Sequence, residues 1–181
     1  MNNKTKIIID SDVIIHFIKG EYLPILHEIF SGYQYVILDI VLNEELRKNS
    51  VTRYYLDRYL TQFDHIKIEK WAPDYLLMKE FATLKKKYGL GESASMAYCK
   101  FHNDVIASSN ITEITNYCDA NDIVYVTTLD FLWKAYQTGK MTQEECDDFI
   151  FKVRQKGSKL PADLNSILDF PHKSYFRVPL L

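Results

Sequence analysis

The chain has 181 residues, 47% apolar and 25% charged, enough for one well-packed core and with no sign of two. A formal charge of −2 and a pI near 6.2 argue against a protein that coats nucleic acid through bulk positive charge, though a local basic patch can still guide a phosphate backbone. No apolar stretch reaches the ~20 residues of a membrane span, and the polar residues 1–6 are followed by too few apolar ones for a signal peptide, so a soluble, cytoplasmic protein is expected.

Along the chain, short β-branched runs alternate with longer helical patterns. Strands are expected at Lys6–Ile9, Gln34–Leu38, His65–Ile68, Asp104–Ala107 and Ile123–Val126. Helices are expected at 11–18, 21–31, 40–62, 73–87, 91–102, 111–121 and 128–138. Pro73 near a helix start, Asp39 as N-cap before Ile40, and Gly89 with Gly91 between two helices agree with these boundaries. Alternation with few hairpin signals predicts a three-layer α/β/α fold around a parallel sheet of about five strands. After Gly139 two more helices are expected, Thr142–Lys156 and Pro161–Leu168, packed on the same domain. Cys99, Cys118 and Cys146 lack the spacing of a zinc site and read as buried thiols in a reducing compartment.

Four acidic positions carry the functional signal. Asp10 ends the first β-branched run, with Asp12 two residues later; Glu44 and Glu45 follow the second strand. Glu92 stands just after Gly89-Leu90-Gly91, before small residues that permit close backbone approach, and Asn110 and Glu113 lie just past the fourth strand. In a sheet of right-handed crossovers the strand-to-helix junctions open on one edge, the usual place for ligands. Glu44, Glu45, Glu92 or Glu113 taken alone is better explained as a surface charge in the first turn of a helix, where the macrodipole and capping favour an acid. Together at one edge they need a cation, and oxygen-only ligands favour a hard ion, Mg²⁺ or Mn²⁺, which serves phosphoryl chemistry.

Taken in order, the segments Ile9–Ile15, Val41–Leu46, Gly89–Ala94 and Ser108–Ile114 resemble the motifs of the PIN domain of metal-dependent nucleases, over roughly residues 5–138. The tail, residues 147–164, is similar to the helical extension of a PIN-like group of prokaryotic proteins. The resemblance implies a nuclease domain at 1–138 with an extension at 139–181. It matches Asp10 to the family's first metal-binding Asp, Glu92 to the acid after the glycine turn, and Glu44 or, preferably, Glu45 to the second-helix acid. Where the family commonly has an Asp after the fourth strand and another acid three residues on, this chain has Asn110 and Glu113. The implied activity is hydrolysis of RNA phosphodiesters with Mg²⁺ or Mn²⁺ held by Asp10, Glu92 and Glu113, in a toxin neutralised by a small antitoxin encoded nearby. PIN domains often pair, so the resemblance leaves room for a homodimer without fixing the oligomeric state.

Lys85, Lys86 and Lys87 before the glycine turn, and Arg47, Lys48, Arg53 and Arg58 after the acidic pair, are candidate phosphate contacts. Tyr54, Tyr55, Tyr59 and Tyr88 are candidates to stack on unpaired bases. A lysine run is also what a solvated helix face carries. His16 reads as packed or capping, and His27, His65, His102 and His172 show no ligand spacing. Two other readings stand beside the nuclease: a PIN-like protein weakened by Asn110 that acts by binding RNA or protein, and a phosphatase using the Asp10-Ser11-Asp12 pattern. The latter lacks the Thr or Ser expected just after Asp12.

Overall fold

The structure, a computed structural model, describes residues 4–161, 163–171 and 176, without the side chains of Thr112 and Glu113. In chain order the elements are β1 (Lys6–Ile9), α1 (Ser11–Gly20), α2 (Leu26–Ile29), β2 (Gln34–Leu38), α3 (Asp39–Glu44), α4 (Ser50–Gln62), β3 (Ile66–Glu69), α5 (Tyr75–Leu84), α6 (Leu90–His102), β4 (Val105–Ala107), α7 (Ile111–Ala120), β5 (Tyr125–Val126), α8 (Thr128–Gln137) and α9 (Gln143–Gln155). The strands form one parallel sheet in the order β3-β2-β1-β4-β5, covered by helices in a three-layer α/β/α arrangement. Ile7, Ile8 and Ile9 are fully buried, as a central parallel strand with both faces covered requires.

The expected helix over 40–62 is in fact interrupted. α3 stops at Glu44, a single 3-10 turn spans Leu46–Lys48, and α4 starts anew after Asn49, whose side chain accepts the N–H groups of Val51 and Thr52, both at 3.0 Å. Asn49 is an N-cap inside what otherwise reads as one apolar period. Asp39 does not cap α3 as expected; its carboxylate accepts the N–H of Trp71 at 2.7 Å, tying the end of β2 to the loop after β3. Likewise 21–31 divides into a 3-10 turn at Leu23–Ile25, with Pro24 in it, and the four-residue α2.

The helix expected at Pro161–Leu168 is not formed among the described residues. There the segment holds a 3-10 turn at Ile167–Asp169. The carboxylate of Asp147 on α9 accepts the N–H of Ile167 at 2.7 Å and the hydroxyl of Ser166 at 3.0 Å, while that of Asp169 accepts the N–H groups of Asn165 and Ser166 at 3.2 and 2.9 Å, so side chains take backbone donors that a helix would otherwise satisfy internally.

α9 lies on α1 through one close approach. A Cβ on Gly20 would stand 2.2 Å from Cδ2 of Phe149, a fully buried ring packed edge-on against Phe17 at 5.1 Å. Gly20→Ala gains helix propensity but must push this ring out of a filled site. We expect a net loss of about 1–3 kcal/mol in urea unfolding, the cost of overpacking a core; a variant as stable as wild type would mean that α9 can shift freely on α1.

Candidate functional site

The strand order reverses between β1 and β4, since β2 and β3 lie to one side and β5 to the other. A crevice opens at such a switch point beyond the carboxyl ends of the strands. Asp10 follows β1 there, its own N–H given to the carbonyl of Ala107, the last residue of β4, at 2.9 Å. As N-cap of α1 its carboxylate accepts the N–H of Ser11 at 2.9 Å. Asp10 is 4% exposed. Burial, and after it the charges of Asp12, Glu45 and Glu92, push its carboxyl well above the ordinary value, with the Ser11 bond opposing. Two carboxylates distant in sequence, Glu45 and Glu92, thus bear together with the neighbouring Asp12 on the one at the switch point.

Asp12, which the sequence offers as an acid in the first turn of α1 and as the second acid of the phosphatase pattern, is tied to the loop after β4. Its Oδ2 accepts the N–H of Ser109 at 2.7 Å and lies 3.4 Å from the hydroxyl of Ser108, so the β4–α7 loop closes on it. Burial raises its carboxyl to about 6 against the pull of those bonds. Behind the loop, Thr128 Oγ1 contacts both Ser109 Oγ and His16 Nδ1, the latter at 3.0 Å, and Thr128 N–H donates to Ser109 Oγ at 3.2 Å. His16 is therefore a packed histidine in a polar chain; burial holds its imidazole down near 4.

Glu45 occupies the break after α3. Its Oε1 accepts the N–H of Gly91 in the first turn of α6 at 2.7 Å. A Cβ on Gly91 would lie 2.6 Å from both Cδ and Oε1 of Glu45, so the carboxylate fills the space that a side chain there would take. Glu44, one residue earlier, is exposed and paired with Lys48 at 3.1 Å. Of the two acids left open by the sequence, the fold brings Glu45 to the cluster. Glu92, 7% exposed, follows Gly91. It reaches this edge from the first turn of α6, which with α5 lies between β3 and β4, rather than directly from a strand.

Asn110 stands at the start of α7, its N–H toward Ser108 Oγ at 3.3 Å, and its side chain makes no capping bond. The side chain of Glu113 lies outside the described residues, although its backbone belongs to α7. Among the described residues no three His, Cys, Asp or Glu side chains are grouped closely enough to hold a metal ion, and that grouping does not include Glu113. Two features nonetheless suit a hard cation: the donors are all oxygens, and Asp12 Oδ1 is buried with no hydrogen-bond partner.

The basic candidates lie on two separate elements. Lys85, Lys86 and Lys87 are exposed on the turn leading into α6, the helix whose first turn carries Glu92. Arg53 is on α4 and pairs with Asp57 at 3.7 Å, an aspartate also held by Arg47 at 2.8 Å. Tyr54 and Tyr55 are more than half exposed on α4, whereas Tyr59 is buried at 4% and unable to stack on a base; its phenol lies 3.4 Å from His27 Nδ1. His27 and His65 stack with ring centroids 3.8 Å apart, a pairing that sequence spacing does not reveal, and His172 lies outside the described residues. Cys99, Cys118 and Cys146 are buried, their thiols pushed up by desolvation and thus poor nucleophiles. Among the described residues no helix is long and apolar enough to cross a membrane. No family model, curated protein or solved structure matches this chain.

Proposed function

We propose that the chain is a divalent-cation-dependent ribonuclease of the PIN type, working at the β1/β4 edge. The observation that carries this reading is Asp10: a buried carboxylate at the switch point on which Asp12, Glu45 and Glu92 all press with negative charge. A fold keeps such a cluster at a cost that a bound cation offsets. Asp10, Glu92 and Glu113 would hold Mg²⁺ or Mn²⁺. When bound, the ion supplies a water of lowered pKa and neutralises charge on the scissile phosphate. The chain's own part is positional. Gly91 N–H fixes Glu45, the Ser109 peptide fixes Asp12, and the exposed Lys85–Lys87 turn offers cationic contacts to the RNA backbone. Arg53 and the exposed Tyr54 and Tyr55 extend that contact along α4.

The same reading makes the protein a toxin held in check by a small antitoxin, and a homodimer its working form. Expression of the chain alone should arrest growth, and that arrest should fail in Glu92→Gln.

One observation favours a second reading, a PIN-like protein that binds RNA without cutting it: the described carboxylates are not grouped closely enough to hold an ion. Purified protein incubated with single-stranded and structured RNA in Mn²⁺ separates the two. Cleavage that a chelator stops, and that Glu92→Gln lowers by about two orders of magnitude, is the expected result. RNA that is bound but intact across the millimolar Mn²⁺ range would establish the second reading instead.

A further inference from the structure

We infer that the groove between the end of α1 and the length of α4 is a binding site for a free acyl carboxylate, an elongated apolar chain with an anionic head. The inference is independent of the cation-dependent reading and uses none of its acids. The groove encloses about 530 Å³, the size of a small-molecule pocket. On one wall Val51, Tyr55, Arg58 and Gln62 recur at the three- and four-residue steps that bring side chains onto one face of α4. From Val51 to Gln62 that face runs about 16 Å. The other wall is the end of α1 and the turn after it, with Phe17, Lys19, Glu21 and Leu23. Val51, Tyr55 and Phe63 are 59%, 52% and 40% exposed, large apolar side chains left to water along one cleft. Two of the rings are held by neighbours, Tyr55 edge-on to Tyr54 at 5.3 Å and Phe63 against Tyr59 at 5.2 Å, so the cleft needs little reordering to take a ligand.

Charge identifies the head of the ligand. Lys19, Arg58 and Lys156 line the groove against one carboxylate, Glu21, in a chain whose formal charge is −2. Glu21 is already taken by Lys152 at 2.7 Å and Lys156 at 3.0 Å. Lys19 donates to the neutral hydroxyl of Ser158 at 2.8 Å and, like Arg58, has no ion-pair partner among the described residues. Burial and the nearby Lys156 hold the Lys19 amine below its ordinary value, so an anion beside it is favoured. One exposed cation needs no partner, but two that line the same apolar cleft without one mark where an anionic head belongs. The rest of the lining sets the body of the ligand. Among the described lining residues the uncharged polar side chains are Gln62, Tyr55 and Tyr59, too few for the hydroxyls and base edge of a nucleotide, which would lie unpaired against Phe17 and Leu23. An α-helix with its side chains, ~10 Å across, would displace about 1,200 Å³ over the same length, more than twice the space there is. A single linear chain fits both the volume and the shape.

The test is calorimetric titration of the full chain with decanoate, kept below its micelle concentration, beside decanol and adenosine monophosphate. Decanoate should bind at a single site, and decanol about tenfold more weakly or worse because it lacks the charge. Lys19→Gln/Arg58→Gln should lower decanoate affinity by about tenfold or more and leave decanol unchanged. Val51→Asp should abolish decanoate binding while the chain stays folded, since an acid at the second residue of α4 suits the start of a helix, and its melting midpoint checks this. Were it to misfold, the glutamine double variant carries the comparison alone. Arg53→Gln, on α4 but outside the groove, should bind decanoate as wild type does. No decanoate binding by wild type, equal binding by the glutamine double variant, or decanol as tight as decanoate would overturn the inference. Adenosine monophosphate binding more tightly than decanoate, and weakened in the same variants, would overturn it in favour of a nucleotide. None of these results bears on RNA cleavage, so the two readings fail separately.

Discussion

Asp10→Asn should melt above wild type in the absence of metal and cleave RNA about 100-fold more slowly, or worse, in its presence. Both effects follow from the same burial. The Asp10 carboxyl is held above its ordinary value by desolvation and then by Asp12, Glu45 and Glu92. A carboxyl raised in this way contributes stability that is fully present below its unfolded value and is lost as the pH rises through its folded one. Asp12, raised to about 6, marks part of that window, so metal-free wild type should lose stability between about pH 4 and pH 7. His16 runs the other way. Its imidazole, held near 4 by burial, contributes stability present above the ordinary value of 6.5 and lost as the pH falls toward 4. That contribution is common to both proteins and cancels in their difference. The difference curve should therefore rise with pH, reaching on the order of 1–2 kcal/mol, or ~2–8 °C in midpoint, by pH 8. Mn²⁺ should close the gap by raising wild type more than the variant. Thermal scans from pH 4.5 to 8 with and without Mn²⁺ check all of this. A variant that melts lower than wild type at pH 8, or cleaves within threefold of it, would remove Asp10 from the site.

How far the sequence could be read depended on the range of the interactions involved. β1 and β2 run as expected, Lys6–Ile9 and Gln34–Leu38, because an unbroken β-branched run in a doubly covered sheet is a local signal. Asp10 and Glu92 were legible for a related reason: a strand end and a glycine turn each mark an element boundary. The choice between Glu44 and Glu45 was not, since neighbouring residues differ by about 100° around a helix and only the long-range bond to Gly91 separates them. The break that frees Glu45 did leave a trace, Asn49 before Ser50, hidden by an apolar period that runs on across it. Asp12 shows the limit most plainly. Its partners Ser108 and Ser109 are nearly a hundred residues away, and nothing in the first turn of α1 tells a buried acid from a solvated one. The tail misled because Pro161–Leu168 has helical apolar spacing, while its Ile167 N–H is taken by Asp147 from another element and those of Asn165 and Ser166 by Asp169.

Gly91→Ala should separate activity from stability more cleanly than any substitution of an acid. Gly91 is the second residue of α6 and has ordinary helical backbone, so alanine is allowed there and carries the better propensity, about 1 kcal/mol in its favour. The new methyl would stand 2.6 Å from Oε1 and 2.7 Å from Oε2 of Glu45. What must give way is the end of a flexible side chain, not the backbone, so the fold survives and the carboxylate leaves its place. We expect a melting midpoint equal to wild type or up to ~4 °C higher. RNA cleavage should fall by about 10- to 100-fold, the cost of moving a site group by roughly an ångström. Gly89→Ala is the control, since its methyl would sit 3.9 Å from Glu45 Oε1, an ordinary contact, and should leave cleavage within about threefold. If the alanine at 91 acts through Glu45 alone, adding it to Glu45→Ala should cause no further loss, because the group it displaces is already gone. Full activity in Gly91→Ala would show that Glu45 has no part in catalysis. Losses that simply multiply in the double variant would show instead that Gly91 serves the site by another route, with its N–H or its lack of a side chain facing the substrate itself.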